Sequence, residues 1–156
     1  MTSGDRPDPP ASTEPPAYWT RLAYESVIRF IRAEQHKRGF TQPQFWILRH
    51  LSPHDLSPDG EGMTLLELNE AMAEYLRPED DLAEEAERLL SRGLVLRAPD
   101  GNLFLTDEGE AARLEWKAHA PEIRALVHEG IDEADYATTI EVLKKLISNT
   151  SSPLAD

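Results

Sequence analysis

Apolar side chains recur with a helical period along most of this chain, most regularly at residues 18–39. Every third or fourth position there is apolar and charged residues occupy the other side; the apolar positions are Trp19, Leu22, Ala23, Val27, Phe30 and Ile31. Pro16 stands where a first helical turn tolerates proline, and Gly39 stands where a helix commonly ends. The pattern predicts a long first helix that ends at Gly39.

Three shorter helices are predicted next, over residues 41–51, 64–75 and 78–91. Thr41 precedes the first of them, and Thr64 with Glu67 three positions later has the spacing of a capping box. Pro78 occupies a first helical position, and Gly93 stops the last of the three. These signals indicate three short helices in close succession.

The period then changes to that of β-strands. Two short apolar runs, at residues 94–97 and 103–105, flank the sequence Pro-Asp-Gly-Asn at 99–102. Asp-Gly between two such runs is a strong hairpin signal. A two-stranded wing is therefore predicted after the fourth helix.

Two further helices complete the predicted order. Thr106 is expected to cap the first, which continues through Trp116 until Pro121 kinks or breaks it. Asp132 is expected to cap the second, whose apolar residues run almost to the C-terminus.

The predicted fold class is mainly α with a small two-stranded antiparallel wing. Three short helices followed by a hairpin describe a winged helix-turn-helix domain. The helices at both ends of the chain would leave broad apolar faces exposed, so we expect them to pair with a second subunit. The predicted organisation is a disordered leader, a dimerisation helix, the winged helix-turn-helix domain, C-terminal dimerisation helices and a frayed tail, at residues 1–16, 17–39, 40–112, 113–149 and 150–156.

Composition narrows the class of protein. The 156 residues include no cysteine, which excludes disulfides and thiolate chemistry. No apolar run approaches the roughly 18 residues of a membrane span, and the N-terminus lacks the pattern of a signal peptide, so a cytoplasmic protein is expected. No nucleophile elbow, phosphate-binding loop or dinucleotide fingerprint appears, so neither an enzyme nor a cofactor is expected.

Charge is unevenly distributed along the chain, whose formal net charge is −13. Residues 52–91 carry twelve acidic residues against Arg77 and Arg88, a net charge of −10. A strongly acidic chain is repelled by phosphate backbones at long range, although a locally basic surface can still bind DNA. Solubility is the simpler interpretation of this acidity.

Four segments of the sequence resemble the MarR family of bacterial transcriptional regulators. They are FTQPQFWILRHLS at 40–52, MTLLELNEAM at 63–72, LAEEAERLLSRGLVLR at 82–97 and LFLTDEGEAAR at 103–113. The most specific pieces are Leu-x-x-Gly-Leu-Val, from Leu90 to Val95, and Leu-Thr-x-x-Gly, from Leu105 to Gly109. The resemblance implies a homodimeric DNA-binding regulator that a small ligand can release. It also implies that the helix at 78–91 enters the major groove while the wing reaches toward the minor groove.

Six residues are candidates for contact with DNA under this resemblance: Arg49, Thr64, Arg77, Arg88, Arg92 and Arg97. Two departures from the family pattern bear on them. The helix at 78–91 carries six acidic residues, and the wing tip at 99–102 lacks the arginine of the family's Asp-x-Arg element. The alternative is a winged-helix dimer without DNA binding that uses its acidic face for protein–protein interaction.

Aromatic residues supply candidates for an effector site: Trp19, Tyr24, His36, Trp46 and Trp116. Members of the family often bind small aromatic molecules between the dimerisation helices and the winged domain, where such side chains would form the lining. Aromatic core positions at helical spacing are the alternative. His119 and Glu122 have a spacing that could share a metal, but His128 would fall on the opposite helix face, so no metal site is predicted.

Overall fold

The computed structural model describes residues 13–151, so most of the predicted leader at 1–16 and tail at 150–156 lies outside the described residues. Within them the chain forms seven helices and one two-stranded antiparallel sheet, which confirms the predicted fold class. The elements are α1 (Pro16–Lys37), α2 (Gln42–Leu51), α3 (Leu65–Met72), α4 (Leu82–Ser91), β1 (Val95–Arg97), β2 (Leu103–Leu105), α5 (Asp107–Ala118), α6 (Ala120–Val127) and α7 (Glu133–Thr150).

The chain divides into two compact units, Met1–Ala120 and Pro121–Asp156. The first unit holds helices α1 to α5 and the wing, and the second holds nearly all of α6 and the whole of α7. None of the helices in the described part of the chain is long and apolar enough to cross a membrane.

Helix α2 begins with a complete capping box that the sequence analysis did not single out. The Thr41 hydroxyl accepts from the backbone N–H of Gln44, and the Gln44 side chain accepts in return from the backbone N–H of Thr41. At α3 the predicted cap is confirmed, since the Thr64 hydroxyl accepts from the backbone N–H of Glu67. The Glu67 carboxylate, however, accepts from the Thr64 hydroxyl. Only the first of the two caps is therefore fully reciprocal.

The predicted start of the fourth helix at Pro78 is wrong. Helix α4 begins at Leu82, because the Asp81 carboxylate caps it by accepting from the backbone N–H three residues further on, at 3.1 Å. Aspartate is among the strongest N-cap residues, and it prevails over the permissive proline signal. Three of the six acidic residues assigned to this helix consequently precede it. Helix α3 is also shorter than predicted and ends at Met72 rather than near Tyr75.

The two strands form the predicted wing. Their antiparallel register places Val95 opposite Leu105. An isolated antiparallel bridge joins β2 to the residue before the α3 cap. The backbone N–H of Leu103 donates to the carbonyl of Met63 at 2.8 Å, and the carbonyl of Leu103 accepts from the backbone N–H of Met63 at 3.1 Å. Strand β2 is therefore hydrogen-bonded along both edges, to β1 on one side and to Met63 on the other.

The hydrophobic core lies where α2, α3, α4, α5 and the wing meet. Its buried members are Phe40, Ile47, Leu48, Leu51, Leu68, Met72, Leu82, Ala86, Leu89, Leu94, Val95, Leu103, Ala112 and Trp116. The predicted inward face of α4 is confirmed for Leu82, Ala86 and Leu89, and Leu90 packs against the same core from a partly buried position. This packing fixes which face of α4 remains for solvent.

The glycines of the two quoted motifs are required for different reasons. Gly93 ends α4 with a φ of +72°, in the left-handed region that favours glycine. Gly109 lies in the first turn of α5, where a Cβ atom would meet the carbonyl oxygen of Leu94 and approach the Leu105 side chain to 2.6 Å. Helix α5 therefore approaches the α4–β1 connection more closely than any larger residue would allow.

The predicted break at Pro121 is confirmed. Helix α5 ends at Ala118, α6 begins at Ala120, and Pro121 occupies the first turn of α6. In the second unit Asp132 caps α7, as predicted, by accepting from two backbone N–H groups of its first turn. No residue of α7, the whole of which the structure describes, is buried.

Candidate nucleic-acid interface

The face of α4 opposite the core is exposed and charged. It carries Glu84, Glu87 and Arg88. Because Gly93 turns the chain directly into β1, Arg97 of the wing lies beside this face. Helix-turn-helix proteins contact DNA through such an exposed second helix, with neighbouring elements reaching the backbone.

Each of the six acidic residues at 79–87 has a partner within the chain. The partners are Arg77 for Glu79, Arg32 for Asp80, the N-terminus of α4 for Asp81, Arg88 for Glu84, the Thr41 hydroxyl for Glu85 and Arg97 for Glu87. Three of these residues, Asp80, Asp81 and Glu85, make contacts that organise the fold, and the other three form ion pairs at the exposed surface.

Asp80 forms the most buried of these contacts. Its carboxylate accepts two hydrogen bonds from the Arg32 guanidinium, at 2.7 and 3.0 Å, and a third from the backbone N–H of Arg77 at 2.8 Å. Burial alone would raise the pKa of Asp80, but the hydrogen bonds from Arg32 and from the Arg77 backbone outweigh it and lower that pKa. The Arg32 guanidinium is engaged by this contact and by a hydrogen bond of 3.1 Å to the Gln42 side chain.

Glu85 faces the start of α2 rather than solvent. Its side chain is 14% exposed and accepts a hydrogen bond of 2.7 Å from the Thr41 hydroxyl. Because the same hydroxyl caps α2, Glu85 connects α4 to the start of α2. Its carboxylate is therefore a structural group.

Arg88 and Arg97 are the two predicted DNA contacts that the structure brings to the exposed face of α4. Arg88 lies 2.7 Å from Glu84, and Arg97 lies 2.7 Å from Glu87. All four side chains are between 46% and 62% exposed. The glutamate partners of these arginines were not predicted, although the four-residue spacing of Glu84 and Arg88 indicates a contact on one helix face. No comparable signal exists for Glu87 and Arg97, which meet only because the chain turns.

Arg77 lies at the junction of α1 with the α3–α4 connection. It forms ion pairs of 2.8 Å with Glu79 and with Glu25 of α1, and its guanidinium lies 5.4 Å from the centre of the Tyr24 ring. Hydrogen bonds to Glu79 and Glu25 raise the pKa of Arg77 above its ordinary value. With 17% of its side chain exposed, Arg77 holds the connection in place rather than extending into solvent.

The other predicted DNA contacts lie on other elements or have separate partners. Arg49 on α2 pairs with Asp55 at 3.0 Å. Arg92, at the C-cap of α4, donates to the carbonyl of Gly39 at 3.0 Å and stands over the Trp116 ring. Thr64 is the N-cap of α3. Among the six candidates, Arg88 and Arg97 are thus the exposed pair at one surface.

The five predicted effector contacts occupy different environments. Trp116 is buried in the core and stacks on Phe40 with ring centres 4.8 Å apart, and Trp46 is half-buried against Tyr75. Trp19 and Tyr24 are exposed on α1, and His36 is exposed near its end. These positions do not form a single aromatic cluster.

A groove of about 580 Å³ lies between the end of α1, the start of α2 and α4. Its lining is His36, Gly39, Phe40, Thr41, Gln44, Glu84, Glu87, Arg88, Ser91 and Arg92. A smaller cavity of about 170 Å³, at Arg32 and Asp80, shares His36 and Thr41 with it. Of the five predicted effector contacts, His36 is the one that lines both spaces.

The histidines considered as metal ligands lie against aromatic rings. His119 is 6.3 Å from the Phe40 ring, and His128 is 4.3 Å from the Tyr136 ring. Within residues 13–151, no three His, Asp or Glu side chains are grouped so as to hold a metal ion.

Solved structures share this order of helices and wing. A MarR family protein of Mycobacterium tuberculosis, in complex with DNA, superposes with a TM-score of 0.63 and 21% identity over 85% of this chain and 98% of that chain. The fold is MarR-like. The reduced form of MarR from E. coli gives a TM-score of 0.62 with 20% identity over 86% of this chain and 94% of that chain.

A third MarR-like structure is that of Bordetella bronchiseptica BpsR, whose DNA binding is regulated by 6-hydroxynicotinic acid. It gives a TM-score of 0.61 with 23% identity over 90% of this chain and 99% of that chain. No protein-family model matches the sequence, and no curated protein matches it. At this level of identity the likeness establishes the MarR-like fold alone, because proteins of one fold can differ in function.

Proposed function

We propose that this chain is a MarR-like, DNA-binding transcriptional regulator that acts as a homodimer. Helix α4 enters the major groove in this proposal, and the wing lies over the adjacent minor groove. The observation that carries the proposal is the exposed pair of Arg88 and Arg97 on α4 and β1, in a fold shared with a DNA-bound protein. A cytoplasmic location belongs to the same proposal, because bacterial DNA lies there.

The partners of the acidic residues support this proposal. Asp80 and Glu85 are turned into the fold, and Asp81 caps α4, so these carboxylates are directed at groups of the chain. Arginine contacts to phosphate oxygens fix the position of a protein on DNA, and they require guanidinium groups at the surface. Arg88 and Arg97 meet that requirement.

Exposed apolar side chains on both terminal helices support the homodimer. Helix α1 exposes Tyr18, Trp19, Leu22, Tyr24, Val27 and Phe30, and α7 exposes Val142 and Ile147. Apolar faces of this kind mark sites of association, and a second copy of the chain is the occupant we propose. Two winged-helix units would then read half-sites about one DNA turn apart.

Release by a small ligand is part of the proposal, with a small aromatic acid as the ligand class. The 580 Å³ groove is large enough for such a molecule and is lined by Arg88 of the DNA-facing helix and by His36. The regulation of BpsR by 6-hydroxynicotinic acid gives a ligand to test first. A ligand that binds only the DNA-free conformation should raise the melting temperature of the protein and lower its affinity for DNA.

A second candidate function is a winged-helix dimer without DNA binding that engages a basic protein through its acidic face. The observation that favours it is the net charge of −10 over residues 52–91. Helix α3 and the turn after it carry exposed Glu67, Glu70 and Glu74, which are available to such a partner. Binding to such a protein would also weaken with salt, but the chain would bind neither specific nor scrambled DNA.

The deciding experiment is binding of the purified full chain to its own upstream DNA, followed by fluorescence anisotropy at low and moderate salt. A scrambled duplex of equal length is the control. The regulator should prefer the upstream duplex and should lose affinity steeply as salt rises. Absence of binding to either duplex at low salt, by protein whose circular dichroism shows it to be folded, would overturn direct DNA binding by the ligand-free chain.

A further inference from the structure

Two ion pairs lie side by side on the exposed surface of α4 and the wing. Glu84 and Arg88 are one helical turn apart at 2.7 Å, and Glu87 reaches across to Arg97 of β1 at the same distance. Glu85 adds a longer contact of 3.8 Å to Arg88. The two guanidinium groups proposed to meet DNA are therefore already bound to carboxylates of the same surface.

We propose that Glu84 and Glu87 compete with DNA phosphate for Arg88 and Arg97. Each glutamate holds its arginine in an ion pair that must open before the arginine contacts the DNA backbone. This inference rests on the proposed function, because it assigns a role to residues of the same DNA-binding surface. Glu84 and Glu87 are positioning residues here, since they act through the arginines that they hold.

The two ion pairs are weak enough for DNA phosphate to replace the glutamates. Exposed ion pairs are weak, because water screens both partners and holding two long side chains costs entropy. A phosphate oxygen offers a guanidinium the same charge and the same hydrogen-bond geometry as a carboxylate oxygen. DNA can therefore replace the glutamates, but each replacement leaves a carboxylate beside a phosphate, and this repulsion lowers the affinity.

The exchange also changes how binding depends on salt. An arginine that meets phosphate normally releases a counterion from the DNA, which contributes a slope of about −0.9 per contact to the plot of log K against log salt. In this chain the displaced carboxylate remains in the interface and retains a cation from solution. The net counterion release per arginine should therefore be smaller than for a free arginine.

The test compares the wild-type chain with Glu84→Gln and Glu87→Gln by fluorescence anisotropy on its upstream duplex and on the scrambled duplex. Glutamine keeps the size of the side chain and removes its charge. Each variant should bind DNA about two- to fivefold more tightly at low salt, because the competing ion pair is lost. Each should also steepen the salt slope by up to about 0.9.

Glu141→Gln is the matched control. Glu141 pairs with Lys144 at 3.2 Å on α7, and both side chains are exposed, so the variant also opens a surface ion pair and removes one negative charge. It should leave the salt slope unchanged. A thermodynamic cycle adds Arg88→Gln: in that background the gain from Glu84→Gln should shrink to the part due to repulsion between carboxylate and phosphate, because the glutamate then has no arginine to hold.

The outcomes separate this inference from the proposed function. If wild type binds upstream DNA, both glutamate variants bind it more tightly, and the gain from Glu84→Gln is smaller without Arg88, both the inference and the proposed function are supported. If wild type binds upstream DNA and the glutamate variants bind it no more tightly than Glu141→Gln does, the competitor role is overturned and the proposed regulator function stands. If wild type fails to bind and the double variant Glu84→Gln/Glu87→Gln binds, the competitor role is supported. Folded protein that binds no DNA in any variant overturns both.

Discussion

At the scale of single residues, Asp80 shows that an acidic side chain just before α4 can stabilise the fold. Its carboxylate is held by two bonds from Arg32 and one from the backbone of Arg77, and its pKa is lowered. A group whose folded-state pKa is depressed stabilises the protein above its ordinary pKa, here 3.8. That stabilisation is lost as pH falls through the lower folded-state value.

We expect Asp80→Asn to lower the free energy of unfolding by about 2 kcal/mol at neutral pH, because it removes charge-assisted hydrogen bonds and leaves Arg32 without its partner. Urea titrations at several pH values should show the difference from wild type shrinking as pH falls below 3.8. Glu79→Gln is the control, since the Glu79 side chain is 61% exposed and its pair with Arg77 should contribute under about 1 kcal/mol. Equal losses in the two variants would contradict the structural role of Asp80.

At the scale of elements, the contact between α2 and α4 depends on one hydroxyl. Thr41 accepts from the backbone N–H of Gln44 as the α2 cap and donates to Glu85 of α4. Thr64 caps α3 through the same type of bond, but its hydroxyl donates only to Glu67, on its own helix. Two chemically similar caps therefore differ in what they connect.

We expect Thr41→Ala to destabilise the chain by about 2 kcal/mol, and Thr64→Ala by about 1 kcal/mol, in urea unfolding. The larger loss at Thr41 includes the partly buried Glu85 carboxylate that is left without a donor. Thr41→Ser should restore most of the stability, since it keeps the hydroxyl. Losses of equal size at the two caps would show that the link to α4 contributes nothing.

Short-range sequence signals predict most of the fold but few of the contacts at the candidate interface. Glycine and proline punctuation, the Asp-Gly turn and the caps at Thr64, Thr106 and Asp132 are local in sequence, and the structure confirms the elements that they predict. The start of α4 was misplaced because proline and aspartate both favour a helix start and the pattern does not rank them. The pairing of Glu87 with Arg97 depends on the turn between α4 and β1, which no periodicity describes.

At the scale of the whole molecule, the unpaired apolar face of α1 is the feature that favours association. Trp19, Leu22, Val27 and Phe30 recur at helical spacing and are all exposed. Exposure of such apolar side chains to water is unfavourable, and a second copy of the chain offers the same face in return.

We expect sedimentation equilibrium to give a mass of twice 17.6 kDa for the wild-type chain. Val27→Asp should weaken the dimer at least about tenfold, because it places an unpaired carboxylate within the buried face. Arg21→Asp introduces a carboxylate on the opposite, charged side of α1, where the residue is also exposed, and should leave the mass unchanged. A monomeric wild-type chain, or a dimer that tolerates Val27→Asp, would exclude this face as the interface.

The loop at the tip of the wing is closed by its own hydrogen bonds. The Asp100 carboxylate accepts from the backbone and the side-chain amide of Asn102, and the backbone N–H of Ala98 donates to the Asn102 carbonyl. The two strands below the tip are held separately, by their pairing with each other and by the bridge from β2 to Met63. The conformation of the tip therefore depends on hydrogen bonds within residues 98–102. A longer loop carrying an arginine could be grafted at residues 98–102 without disturbing the strand register, so that the reach and charge of the wing could be changed independently of the core.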